Sequence, residues 1–230
     1  MTTFDLIDYY LFNLIPPLKS VKTSSSIGHT MVEEMNEVRD IYLSGGPIKE
    51  VLKRCVCDRH GHQYCIVEDA VKDAADALMG SVHVSVFGEK PLVKDSKLVN
   101  SFEDFEELYD FVSSVIGGIS GIGPLTVYDT AKRIGHLFDE PIYPKMYVYL
   151  NAGALDGAKA LLGRNDLKFR EPITLFEPYF GTFPSIFIED ILCIFKNEFC
   201  PNSINIKSTA PSLKKAAECV FSSKTTLARI

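Results

Sequence analysis

Gly117-Gly118-Ile119-Ser120-Gly121-Ile122-Gly123-Pro124 decides the fold, because the residues on both sides of it recur at helical spacing. Upstream, Phe105, Leu108, Tyr109, Val112, Val115 and Ile116 predict one helix, with Ser101 placed to cap its start and Asp104 three residues on. Downstream, Pro124 fits a first helical position, and Val127, Ala131, Ile134 and Phe138 form an apolar stripe. The expected unit is therefore helix, glycine-rich turn, helix over about 101–138.

Such a turn has a chemistry of its own. The first amides of a helix have no internal partner, and the helix dipole places partial positive charge there. Gly121 and Gly123 lack a Cβ, so a phosphate can approach their backbone closely and be bound without any reading of base sequence. Lys132, Arg133 and His136 fall off the apolar stripe, within expected reach of flanking phosphates. No strand precedes the glycines, and Thr126 stands where a dinucleotide fingerprint needs its third glycine.

Gly121-Ile122-Gly123 followed by apolar positions resembles the helix-hairpin-helix motif of DNA-binding and DNA-repair proteins, and distantly the helical DNA glycosylase superfamily. The resemblance implies a DNA partner held by its backbone, with Gly121 and Gly123 exposing amides and Thr126, Lys132 and Arg133 adding donors and charge. Bifunctional glycosylases carry a lysine nucleophile directly after the turn, where this chain has the apolar neighbourhood of Leu125. Their supporting aspartate follows the second helix. Asp139 arrives roughly one helical turn too soon for that role. Lys145 is the other residue in the expected neighbourhood. Base excision through Asp139 or Lys145 is thus the enzyme alternative. A structural or protein-interaction role, with the hairpin used only for packing, is the third reading.

The whole chain sets bounds on these readings. Its 230 residues, 46% hydrophobic, fit one helical domain over 1–200 with a polar, basic tail over 201–230. The expected class is mainly α, with at most a small β-hairpin. No apolar run is long enough to span a bilayer, and no basic region precedes the apolar residues of the start. Six cysteines at this length suggest reduced thiols in a cytoplasm rather than a secreted disulfide scaffold. The net charge of −6 argues against an indiscriminate nucleic-acid binder, an objection softened by its uneven distribution: −8 over 1–117, +2 over 118–170, −4 over 171–199 and +4 over 200–230.

Taken in order, residues 4–15 predict a buried helix ended by Pro16-Pro17, and 19–30 a serine-rich loop. A helix with Met31, Met35, Val38 and Tyr42 inward follows, then a short one opened by Pro47. Cys55, Cys57, His60, His62 and Cys65 crowd one loop. They could supply four zinc ligands, but they lack the paired spacing such sites use, so neither a metal nor another cofactor is expected. Val67, Ala70, Val71, Ala74, Ala75 and Leu78 predict an amphipathic helix; Ser81–Val86 alternates as a strand, with Gly88–Pro91 as its turn. Met146–Leu150 is too short to separate strand from buried helix. The small residues of 151–160 suggest a tightly packed helix, and Lys159, Arg164, Lys168 and Arg170 could extend a phosphate-contacting face. From Ser185, a suitable cap, Ile188, Ile191, Leu192, Ile194, Phe195 and Phe199 predict a strong helix, with Cys193 as a core thiol.

Overall fold

Apolar stripes at helical spacing become eight α-helices among the described residues, joined by three small two-stranded antiparallel sheets, so the fold is mainly α. The computed structural model describes residues 31–57, 66–86, 88–194, 196 and 199. The helix expected over 4–15, the loop over 19–30, His60, His62, Cys65, Phe195 and the 201–230 tail lie outside the described residues. The chain divides into two compact units with a boundary between Tyr143 and Pro144.

In the first unit, α1 (Met31–Leu43), α2 (Ile48–Val56) and α3 (Glu68–Met79) precede β1 (Val82–Ser85), β2 (Gly88–Pro91), β3 (Val93–Lys94) and β4 (Lys97–Leu98). Two helices complete it, α4 (Phe105–Ile116) and α5 (Pro124–Leu137). Helix α5 is the hub, because α1, α2 and α4 all pack against it. Met35 and Val38 of α1, Val51, Leu52 and Val56 of α2, and Leu108 and Val112 of α4 are buried. Fully burying such a side chain contributes about 1.5–3 kcal/mol. The return segment after α5 also touches it, through the Ile142 N–H to the Gly135 carbonyl at 3.1 Å.

The sequence expectations for this unit need three local corrections. Ser101 does not cap α4. Asp104 does, its Oδ1 accepting the Glu107 N–H at 2.9 Å, because Ser101 is engaged by a distant histidine. Gly88–Pro91 is not a turn but the second strand of a hairpin, with Val82 opposite Pro91 and Ser85 opposite Gly88. Val67 leaves the apolar stripe of α3 to precede its first turn, 64% exposed.

In the second unit the ambiguous run resolves as β5 (Tyr147–Tyr149), paired with β6 (Arg170–Pro172). The small-residue stretch is helix α6 (Ala152–Leu162). A short 3-10 turn and α7 (Glu177–Phe180) lead to α8 (Ser185–Ile194). Helices α6 and α8 pack directly on each other, and the expectation of a tightly packed small-residue helix holds. A Cβ on Gly157 would stand 2.0 Å from the Leu192 carbonyl oxygen, so only glycine admits this approach. Ser185 opens α8, yet its hydroxyl donates to the Tyr147 carbonyl rather than capping the helix.

Candidate functional site

The turn at 117–123 is built as the glycines require. Gly117 N–H closes on the Ser113 carbonyl at 2.9 Å, and the Ile119 and Ile122 amides reach the Ile116 and Ile119 carbonyls at 3.0 Å. Gly121 has φ +92°, a value that costs an L side chain about 1–2 kcal/mol. Ile122, between the two glycines of the motif, is buried and anchors the loop. Gly118, Ser120 and Gly121 are exposed and Gly123 is half-buried, while Gly123 precedes α5 with Pro124 at its first position. Among the described residues the Gly121 and Gly123 amides have no hydrogen-bond partner. The nearest side chain to Gly121 is Ala70, 3.5 Å from where a Cβ would stand, and the two residues before Ala70 are the exposed carboxylates Glu68 and Asp69.

Beyond its first two residues, α5 gives nothing to solvent. Every residue from Thr126 to Leu137 is buried. Lys132, 6% exposed, sets its Nζ 3.0 Å from Asp129 Oδ1 and 4.9 Å from the centre of the Tyr128 ring. Arg133, 3% exposed, donates from Nη1 to the Cys55 carbonyl at 2.9 Å, across 78 residues of sequence. Thr126 accepts through its carbonyl the Thr130 hydroxyl at 2.6 Å. The two cations that the sequence placed toward flanking phosphates therefore face inward. The physical reason is pairing. A buried charge is tolerated where a carboxylate or carbonyl meets it, and both partners are present.

His136, the third basic residue of that helix, is also buried, and its Nδ1 hydrogen-bonds the Tyr143 hydroxyl. Its pKa is lowered to about 4, first by loss of solvent and then by the nearby Arg39 guanidinium, which itself donates to the His136 carbonyl. The imidazole is neutral at pH 7, so it offers no charge to a phosphate. Burial likewise pushes the Tyr143 hydroxyl well above its ordinary range.

The remaining candidates are dispersed. Asp139 is exposed just past α5, and Lys145 is exposed in the other unit. Lys159, Arg164, Lys168 and Arg170 also belong to that other unit. Arg164 is held there by both oxygens of Asp166, at 2.9 and 3.0 Å, and Arg170 lies over the Tyr149 ring. Cys55 and Cys57 are buried at the end of α2, and among the described residues no group of three metal-ligating side chains occurs. No helix among the described residues is long and apolar enough to cross a membrane.

One cluster was not read from the sequence. His83, buried on β1, places Nδ1 3.1 Å from Ser101 Oγ and Nε2 3.2 Å from Glu107 Oε1, and its ring packs on Phe102 and Phe111. Hydroxyl, imidazole and carboxylate in a row have the composition of a nucleophile relay. Here the row ties β1 to the segment before α4 and to α4 itself. Glu107 spends its other oxygen on the Glu103 N–H at 2.7 Å, and Ser101 does not line the adjoining groove. That groove, about 870 Å³, runs between β1 and α4 and is walled by Val82, Val84, Phe111, Glu106, Glu107 and Asp110. The strict alternation of Ser81–Val86 was its only sequence signal. No family model, curated protein or solved structure matches this chain.

Proposed function

We propose that this protein is a structural or protein-interaction protein, in which the glycine hairpin serves to pack α5 into the centre of its unit. One observation carries the reading: Lys132 and Arg133, the charges a phosphate-binding face requires, are engaged internally by Asp129 and the Cys55 carbonyl. The setting of the turn supports it further, since the acidic first turn of α3 begins beside Gly121 and would repel a polyanion. The test is a salt titration of duplex and single-stranded DNA binding. The expected result is no measurable salt-dependent affinity between 50 and 200 mM salt, where each neutralised phosphate would otherwise contribute a slope of about −0.9.

A second reading, contact with the DNA backbone at the hairpin itself, is favoured by the exposed turn and the open Gly121 and Gly123 amides. It predicts a shallow salt slope that disappears in Gly123→Pro, since that substitution deletes one of those donors at a backbone whose φ of −97° lies close to proline's own range. A slope of that kind would displace the first reading.

A further inference from the structure

Among the described residues the hairpin of β1 and β2 is a sheet of only two strands, so β1 has one edge with no described strand beside it. The Leu92 N–H reaches the Ser81 carbonyl at 3.1 Å, which fixes the phase of the antiparallel ladder. Ser81, His83 and Ser85 turn their backbone groups toward β2, and Val82 and Val84 turn theirs away from it. Among the described residues those outward N–H and C=O groups have no partner. The valine side chains share one face and are exposed as well, Val82 by 46%, Val84 by 68% and Val86, just past the strand, by 89%. Native sheets usually blunt such an edge with charge, proline or a cover. This one carries three valines.

The groove beside that edge is acidic. Glu106, Glu107 and Asp110 of α4 line it, and among the described residues His83 is the one basic side chain in its wall. We infer that β1 accepts an extended peptide as an added third strand, and that the peptide alternates basic with β-branched apolar residues. The alternation follows from the two faces of β1. Residues on the His83 side of the added strand would lie toward the α4 carboxylates, and those on the other side would lie next to Val82, Val84 and Val86. A second copy of this chain is a poorer occupant: β1 reads Val-His-Val-Ser, supplies no lysine or arginine, and would bring two sets of α4 carboxylates together. The inference rests on the protein-interaction reading and names a partner for it.

The probe is a fluorescent octapeptide alternating Lys and Val, titrated against the full chain by anisotropy. Three comparison peptides accompany it: one with Glu for Lys, one with Pro at its centre, and a scrambled one with the four lysines in a block. The alternating basic peptide is expected to bind at least tenfold tighter than each of the other three, and more weakly as salt rises. Asp110→Lys is expected to weaken it about tenfold, and Val84→Pro, which deletes an outward N–H while sparing the ladder to β2, to do the same with an unchanged far-ultraviolet spectrum. No binding by the alternating peptide, equal binding of the acidic one, or concentration-dependent dimerisation abolished by Val84→Pro would each overturn the proposal. DNA binding in the salt titration would displace the underlying reading, whereas peptide failure without DNA binding sinks the strand-addition proposal alone.

Discussion

Acid should destabilise this protein through one imidazole. His136 is held neutral in the folded chain, with its pKa lowered from 6.5 to about 4 by burial and by Arg39. The unfolded chain takes up that proton near pH 6.5, so protonation favours unfolding. The contribution is fully present above pH 6.5 and is lost as pH falls toward 4. Each tenfold loss of proton affinity on folding is worth about 1.4 kcal/mol, so the whole effect is about 3 kcal/mol, with about 2 kcal/mol already gone at pH 5. The assay is a series of urea unfolding curves between pH 7.5 and 4, on the wild type and on His136→Gln, which has no imidazole. The variant starts less stable because the Tyr143 contact is disturbed, but its stability should fall with pH less steeply than the wild type's. Carboxylates titrate in both proteins and cancel in the difference. Parallel profiles, with a difference that stays constant to within about 0.5 kcal/mol, would refute the reasoning.

Two further outcomes follow from close contacts. Gly157→Ala drives a methyl into the Leu192 backbone at 2.0 Å and should cost about 2–3 kcal/mol despite alanine's better helix propensity; Gly123→Ala, with nothing within 4 Å, should cost roughly 0.5 kcal/mol or less, both read from thermal melts. Lys132→Met removes the cation beside buried Asp129 and should cost about 3 kcal/mol in urea, most of it recovered in the double variant with Asp129→Leu. If the single variant is as stable as the wild type, that pair does not hold α5 in place.

The helical frame was legible because its signal is local. Val127, Ala131 and Ile134 repeat at the right spacing and are all buried, and so are Leu108 and Val112 across from them. The site was not, because what decides it is distant in sequence. A helix with Asp129, Lys132, Arg133 and His136 off its stripe looks half-solvated until the Cys55 carbonyl arrives from 78 residues away and Tyr143 closes over the other side. Ser101 carried a sound local cap signature, yet His83 took its hydroxyl and Asp104, three residues later, took the cap. The hairpin was half seen: alternation revealed β1, but Gly88 and Pro91 read as turn residues, and only register shows that Pro91 sits opposite Val82 at a position needing no N–H.

The central placement of α5 also bears on how the chain is made. Among the described helices of its unit it is the last to be synthesised, and its neighbours reach it across long separations, Arg39 over 97 residues and the Cys55 carbonyl over 78. Until α5 leaves the ribosome, the faces that α1, α2 and α4 turn toward it have nothing to close on. The nascent chain is then a natural client for holdase chaperones, and a ribosome stalled before Pro124 would display a sticky, half-built bundle.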